Sequence, residues 1–130
     1  MPSEWKSCIF LKVGLGTAAK RDVGSGSNQL PDMSLFDASR DANGYQKLPS
    51  GLIIQWGANP ASVGGAAGDG NTVNFKIAFP SYCAQIIVSF DNGSASIPAG
   101  AATAGTLTNF KLRCSASSGG YNFRWLAIGY

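Results

Sequence analysis

The fold is decided by the last ten residues of the chain, Tyr121-Asn122-Phe123-Arg124-Trp125-Leu126-Ala127-Ile128-Gly129-Tyr130. With the period of two of a β-strand, one face carries Phe123, Trp125, Ala127 and Gly129, and the other carries Arg124, Leu126 and Ile128. A half-buried strand has a polar second face, but here the second face is mostly apolar. Chain ends also fray unless something holds them. We therefore predict a strand covered on both sides, by the core of its own domain and by a second copy of the chain.

Four more stretches upstream have the pattern of strands. Residues 52–57 are apolar on both faces, and residues 84–90 are β-branched and aromatic. Residues 72–79 alternate until Pro80, which cannot donate to a strand ladder, and residues 109–115 alternate as well. The residues predicted to face inward are Val73, Phe75, Ile77, Phe79, Phe110, Leu112 and Cys114. Residues 34–50 are predicted to be a polar connector, and residues 94–105 a long loop of small residues.

About five strands separated by turns, with no long helical pattern among them, predict an all-β antiparallel sandwich over residues 48–130. A domain of roughly 80 residues buries only about 60–65% of its chain surface and is marginal alone. The two strands with apolar second faces offer a place to bury more. We therefore expect the chain to assemble with itself. The predicted interface residues are Leu52, Ile54, Leu126 and Ile128.

Residues 14–33 differ from the rest because single apolar residues are spaced among Gly, Asn, Asp and Pro. No apolar cluster is present from which a compact core could form. The pattern is typical of an extended, thin element that becomes ordered by wrapping around identical copies. We predict a stalk and connector over residues 1–47, followed by the sandwich over residues 48–130.

Composition excludes several kinds of function. The 10 basic and 7 acidic residues are scattered, and no basic block interleaves with aromatics, so nucleic-acid binding is not expected. Cys8, Cys83 and Cys114 are odd in number and lack metal-ligand spacing. Cys83 and Cys114 lie in apolar surroundings and are predicted to be buried free thiols, which fits folding in a reducing cytoplasm. The apolar run at 8–11 is too short for a membrane span or a signal peptide. We expect no metal, no cofactor and no membrane insertion.

Three segments together resemble the C-terminal tip domain of bacteriophage tail fibres. They are LPSGLIIQWG at 48–57, VNFKIAFP at 73–80 and WLAIGY at 125–130. Upstream, LGTAAKRDVG at 15–24 and NQLPDMS at 28–34 resemble the repeat that precedes such tips. The tip family is similar to H-type lectins, which are sugar-binding β-sandwiches that close with a Trp-x-Ala-x-Gly strand and assemble as trimers.

The resemblance implies a homotrimeric receptor-binding tip on an intertwined stalk. It also implies a virion component that is made in the bacterial host cytoplasm, joined to the rest of a tail fibre, and often helped by a tail fibre assembly chaperone. A long shaft and a particle-attachment region do not fit in 130 residues. A fragment, a prophage remnant and a recombination cassette all agree with this length.

Catalysis has little support in the sequence. The chain has no His, which excludes triads built on imidazole. A glycosidase needs two facing carboxylates, and Asp69 and Asp91 are the only two in residues 48–130. Both lie at turns, where Asp is expected for local backbone hydrogen bonds. We expect a protein that is not an enzyme. Two carboxylates could still meet across a trimer interface, so a polysaccharide-trimming enzyme is one alternative and a ligand-free trimerisation module is another.

Residues that recognise a ligand are expected in loops and at outward strand positions. The candidates are Tyr82, Asp91, Asn92, Arg113, Tyr121, Asn122 and Arg124. Arginine can hold a phosphate or carboxylate by paired hydrogen bonds. Trp56 and Trp125 could stack on a sugar ring, but both lie inside apolar strands and are predicted to pack in the core or an interface. The predicted function is attachment to a bacterial surface glycan such as lipopolysaccharide, strengthened by threefold avidity.

Overall fold

The structure is a computed structural model of the chain, and it describes residues 13–64, 70–93, 96–103 and 105–130. The chain divides after Leu35 into two compact units. In the first unit, the described residues form a short 3-10 turn at Ala18–Lys20 and a small loop closed by two backbone hydrogen bonds. In that loop Gly24 N donates to Leu30 O at 3.0 Å, and Leu30 N donates to Asp22 O at 2.8 Å. None of residues 13–35 is buried. The intertwined stalk over residues 14–34 stays a prediction.

The second unit is built from strands in two antiparallel sheets. The strands of the described residues are β1 Ala38–Ser39, β2 Gly44–Lys47, β3 Ile53–Ala61, β4 Asn71–Asn74, β5 Cys83–Phe90, β6 Gly100–Thr103, β7 Asn109–Cys114 and β8 Tyr121–Gly129. One sheet has the order β1-β2-β3-β8-β5, and the other has the order β4-β7-β6. The predicted all-β antiparallel sandwich is confirmed. No helix in the described parts of the chain is long and apolar enough to cross a membrane.

Strand β8 occupies the centre of the larger sheet, between β3 and β5. Its inward residues Phe123, Trp125 and Ala127 are all buried, as the alternation of the last ten residues predicts. The Trp125 ring packs against Phe110 of the other sheet, with ring centroids 5.3 Å apart. The core therefore lies between the two sheets, and β8 supplies its middle.

The outward face of β8 is not covered within one chain. Leu126 is 38% exposed, Arg124 is exposed and Ile128 is half-buried. The inner cover predicted for this strand is confirmed. The outer cover by a second copy stays a prediction.

The segments predicted as a connector and a loop contain strands, so that expectation is wrong. β1 and β2 lie within residues 34–50, ahead of the predicted start of the sandwich at residue 48, and β6 lies within residues 94–105. β1 and β6 consist of small residues, and β2 is the short, mostly polar run Gly-Tyr-Gln-Lys, so none of them carries an apolar alternation that a sequence pattern could show. They form because their backbones pair with neighbours, such as Gly44 with Trp56 and Ala102 with Leu112. Strand β3 also extends to Ala61, beyond the predicted end at residue 57.

The strand predicted over residues 72–79 stops at Asn74, where β4 ends. Beyond that point, the backbone of Ile77 is hydrogen-bonded by a buried side chain and not by a neighbouring strand. Gln55 is fully buried, its Nε2 donates to Ile77 O at 2.9 Å, and its Oε1 accepts from Ile77 N at 3.1 Å. Of the residues predicted to face inward here, Val73, Phe75 and Phe79 are buried, while Ile77 is half-buried.

Two of the three cysteines lie in the described residues, and both are free thiols, as predicted, but the predicted burial is right only for Cys114. Cys114 is buried, whereas Cys83 is half-buried at the start of β5, and burial raises the pKa of the Cys83 thiol. Cys8 lies outside the described residues.

The edge of the larger sheet is held by a polar network around Asp41. Its Oδ2 accepts from Ser39 Oγ at 2.7 Å and from Lys76 Nζ at 3.0 Å. Its backbone carbonyl accepts from Trp56 Nε1 at 3.1 Å. The hydrogen bond from Ser39, followed by the bond and the charge of Lys76, lowers the pKa of the Asp41 carboxyl. The network ties β1 and β2 to the rest of the unit.

We expect Gln55→Leu to lower the free energy of unfolding by about 2–4 kcal/mol, because it leaves the buried N–H and C=O of Ile77 without partners. Urea unfolding of the two proteins measures this difference. The exposed Gln85, with one long hydrogen bond to Ile86 O at 3.4 Å, provides the control Gln85→Ala. A loss at Gln55 no larger than at Gln85 contradicts the role assigned to the buried amide.

We expect the attachment of β1 and β2 to be complete at neutral pH and to weaken in acid. The folded-state pKa of Asp41 is lowered, so its stabilising effect is present above the ordinary pKa of 3.8 and is lost as the pH falls through the folded value. The NMR signal of the Trp56 indole N–H should therefore move below a pH of about 4. In Asp41→Asn that acid transition should disappear, and an unchanged transition in this variant contradicts the assignment.

Candidate functional site

The strand register defines two ends of the second unit. Ala38 lies opposite Gln46, Gln46 opposite Ile54, and Ile54 opposite Ile128. The first residues of the unit therefore lie at the same end as the C-terminal part of β8, which we call the entry end. The far end is where β8 begins at Tyr121. It lies about 26 Å from the entry end, which is the length of β8 from Tyr121 to Gly129.

Loops from both sheets meet at the far end. Gly64 N donates to Ala116 O, Cys114 N to Ser62 O, and both bonds are 2.9 Å long. These bonds hold the loop after β3 beside the loop after β7. Loops that a rigid sheet positions in this way are common places for binding residues.

An ion pair joins the ends of β5 and β8 on the outward side of this end. Arg124 Nε donates to Asp91 Oδ1 at 2.5 Å, with 73% of the arginine side chain and 29% of the aspartate side chain exposed. Asp91 N also donates to Asn122 O at 3.1 Å. The guanidinium is thus held in place through one nitrogen while most of it faces solvent.

Tyr121 lies at the same end on the inward face of β8, where aromatic packing anchors it. Its ring lies 5.8 Å from that of Phe90, which in turn lies 5.4 Å from that of the buried Phe123. The preceding turn needs Gly119, whose φ of +101° is rarely adopted by other residues. The Tyr121 side chain is therefore fixed by its packing on the core and does not belong to a flexible loop.

Five of the predicted ligand residues lie at the far end, and we call them the far-end cluster. Its members are Asp91, Asn92, Tyr121, Asn122 and Arg124. Asp91 contacts Arg124 and Asn122, whereas Tyr121 lies on the inward face of β8 with Phe123. The Asp91–Arg124 pair presents guanidinium N–H donors beside carboxylate oxygen acceptors, an arrangement that can bind hydroxyl groups.

The other two predicted ligand residues lie elsewhere. Arg113 lies at the same end but on the smaller sheet, in β7 opposite Ala101. Tyr82 lies at the entry end, where its N–H donates to Tyr130 O at 2.7 Å and its ring is 6.0 Å from the Tyr130 ring. Tyr82 therefore does not belong to the same site as the far-end cluster.

The outward face of the larger sheet continues from the cluster as an apolar stripe. Ile54 lies opposite Ile128, and Trp56 lies opposite Leu126, which lies opposite Ile87 on its other side. Of the predicted interface residues, only Leu52 lies outside a strand, just before β3, where it is half-buried. Trp56 belongs to this stripe, whereas Trp125 belongs to the core.

A shallow groove of about 170 Å³ runs between β5 and β8 on this face. The side chains that line it from the outward positions are Ile87, Ser89, Arg124 and Leu126. Sequence reasoning missed Ile87 and Ser89. The signal for Ile87 was present in the run Ile86-Ile87-Val88, which is apolar on both faces of a strand.

The described residues offer little for catalysis by carboxylates or for metal binding. Asp69, one of the two carboxylates weighed for catalysis, lies outside them, and the other, Asp91, is engaged by Arg124. No group of three or more Cys, Asp or Glu side chains in the described ranges is arranged to hold a metal ion.

Comparison with known proteins identifies the family. Residues 47–130 match the family described as "Putative tail fiber protein gp53-like, C-terminal". The chain belongs to this family. The resemblance of the motifs at 48–57, 73–80 and 125–130 to phage tail fibre tips is thereby confirmed. The domain is a tail fibre C-terminal domain.

The chain is also similar to individual proteins, two of them uncharacterized and one a tail fibre of known structure. StfP of Escherichia coli strain K12 is 46% identical over 83 residues, which are 64% of this chain and 40% of StfP. MJ0347 of Methanocaldococcus jannaschii is 35% identical over 127 residues, which cover 88% of this chain and 80% of that protein. The N-truncated R1-type pyocin tail fibre is 25% identical with a TM-score of 0.60, and the match covers 95% of each chain. The chain thus spans two fifths of StfP and nearly all of the truncated pyocin fibre.

Proposed function

We propose that three copies of this chain form the receptor-binding tip of a tail fibre and attach a particle to a bacterial surface glycan such as lipopolysaccharide. The observation that carries this proposal is the Asp91–Arg124 pair on the outward side of the far end, beside Asn122. The proposed role is binding without cleavage.

The position of the cluster supports a role in contact with a surface. The second unit begins at the entry end, so the far end lies opposite the point where its polypeptide enters the sheet. Strands β3, β5 and β7 all end there. In a fibre tip, the end away from the incoming chain is the one free to meet a receptor.

The chemistry of the cluster suits a glycan. Adjacent sugar hydroxyls both donate and accept hydrogen bonds, and the Arg124 guanidinium beside the Asp91 carboxylate offers both kinds of partner in a fixed arrangement. A shallow, exposed site of this kind binds weakly by itself. Three linked copies can raise the effective affinity by roughly 10²–10⁴ without new contacts.

The composition of the outward face supports self-assembly. Ile54, Leu126 and Ile87 form a stripe across three adjacent strands, whereas a sheet face meant for water is normally polar. Arg124 is the only charged residue at the outward positions of β2, β3, β5 and β8. Because the stripe is central and apolar, we place the interface between copies on it.

The proposed tail fibre tip also suggests where the chain is made and what it joins. We place synthesis in the bacterial host cytoplasm, which fits the free thiols of Cys83 and Cys114. The exposed apolar residues of the first unit, such as Val23 at 61% and Met33 at 81%, would be covered by neighbouring copies in an intertwined stalk. Such a stalk would join the rest of a fibre, with help from an assembly chaperone.

We expect Leu126→Asp to abolish assembly, because it places an unpaired charge in the centre of the apolar stripe. Light scattering at micromolar concentration measures the mass. The matched control is Thr72→Asp on the smaller sheet, where Lys111 Nζ already lies 2.7 Å from the Thr72 hydroxyl and can pair with the new carboxylate. A Leu126→Asp protein with the same mass and stability as the parent contradicts the proposed interface.

We expect the labelled protein to bind E. coli K12 cells and to bind an isogenic strain with truncated lipopolysaccharide core at least roughly tenfold less, since loss of the glycan removes all three contacts. Asp91→Asn combined with Arg124→Gln should lose binding on both strains, and flow cytometry measures both effects.

Release of reducing ends from purified polysaccharide, lost in Asp69→Asn or Asp91→Asn, would instead indicate an enzyme. Assembly without binding to any strain would indicate a ligand-free trimerisation module.

A further inference from the structure

We propose that Asn92–Gly93 is a site of spontaneous deamidation, and that the carboxylate formed there competes with the receptor for Arg124. The chemical step stands on the sequence and the structure alone, whereas its effect on binding rests on the proposed function. Together they give the far-end cluster a limited active lifetime.

The reaction needs an asparagine side chain and the backbone nitrogen of the next residue. Glycine hinders the approach least, because it has no Cβ. The nitrogen of Gly93 attacks Cγ of Asn92, a C–N bond forms, and the bond from Cγ to the amide nitrogen breaks. That nitrogen leaves as ammonia with the proton given up by the glycine N–H. Solvent water, the only co-reactant, then opens the succinimide ring at either carbonyl and yields aspartate or isoaspartate.

The structure leaves Asn92 and Gly93 unrestrained. Both are exposed and follow the end of β5, where the bond from Asp91 N to Asn122 O at 3.1 Å ties down the preceding residue. Within the described ranges, no hydrogen bond holds the Asn92 amide. A Cβ added at Gly93 would meet no described atom within 4 Å. The glycine nitrogen and the asparagine side chain can therefore approach each other without breaking any other contact.

The chain contains one other Asn-Gly pair, Asn43–Gly44, and the fold restrains it. Asn43 is exposed as well, but its Oδ1 accepts a hydrogen bond from Ala58 N at 3.1 Å. Gly44 is buried in β2 opposite Trp56, and a Cβ there would lie 2.6 Å from the Trp56 ring. Attack by the Gly44 nitrogen requires this strand pairing to open. The same dipeptide is thus protected at one place and reactive at the other.

The new carboxylate changes the charge of the far-end cluster. Asn92 follows Asp91, which already accepts from Arg124 Nε, and 73% of the arginine side chain is exposed. A second carboxylate beside the pair would accept hydrogen bonds from the same guanidinium and give the group a net negative charge. Donors that the proposed glycan needs would then be occupied.

The chemical step is tested on the folded full chain without any ligand. After incubation at mildly alkaline pH, chromatography with mass spectrometry separates the asparagine, aspartate and isoaspartate forms of each peptide. We expect conversion at Asn92 to be at least roughly tenfold faster than at Asn43, because opening of β2 costs hydrogen bonds. In urea the two rates should become similar. Equal rates in the folded protein, no conversion at Asn92, or a difference that persists in urea overturns the inference.

Gly93→Ala is the matched variant for the effect on binding. The φ of Gly93 is not positive and the added Cβ has room, so the fold should be unchanged, while the Cβ hinders attack on Asn92. In flow cytometry on E. coli K12 cells, the incubated parent should lose binding and incubated Gly93→Ala should keep it. Fresh Asn92→Asp should bind weakly from the start. Equal loss in the two incubated proteins, or full binding by Asn92→Asp, overturns the competition for Arg124.

A ligand-free measurement keeps the two proposals distinguishable. If the fresh parent does not bind cells, the proposed function fails for this receptor, and the deamidation is still decided by mass spectrometry. The reactivity of Arg124 with phenylglyoxal then decides the competition. We expect Arg124 to react more slowly in Asn92→Asp than in the parent, and equal rates overturn the inference.

Discussion

Strand β8 is confined on three sides, and the rest of the structure depends on that confinement. It is hydrogen-bonded between β3 and β5, and the smaller sheet packs over its inward face. The large Trp125 ring fits only because β3 has glycine opposite it: a Cβ at Gly57 would lie 2.6 Å from the ring. The indole N–H, which could not be left unpaired there, donates to Asn59 Oδ1 at 2.8 Å. Shape and polarity are thus both satisfied at the centre of the core.

The same pleat connects the core to the candidate site. Because successive side chains of a strand point to opposite faces, burial of Phe123 and Trp125 forces Arg124 outward between them. The backbone that presents the arginine is therefore as fixed as the core itself. Asp91 completes the arrangement from the end of β5, the neighbouring strand, so the ion pair depends on the pairing of β5 with β8. A rigid sheet and a short polar cluster at its end give a preorganised surface in which little order must be gained on binding.

Sequence reasoning succeeded where the apolar pattern is strong. Phe123, Phe110 and Leu112 are buried as their alternation predicts. It failed for β1, β2 and β6, whose small or polar residues form strands only because a partner backbone is present. It also failed after Asn74, because a local pattern cannot show that the distant Gln55 would hold Ile77.

For the candidate site as well, the local sequence pattern indicates individual residues but not their contacts. The sequence could identify Asp91 and Arg124 as candidates from a turn and an outward strand position. It could not show their contact, because 33 residues separate them and the contact requires the register of β5 on β8. The same register sends Tyr82 to the opposite end of β5. An outward face that is apolar across three strands and carries a single, already neutralised arginine is poorly suited to water and well suited to a second copy of itself. Assembly and recognition would then share one strand, with the stripe at its centre and the cluster at its end.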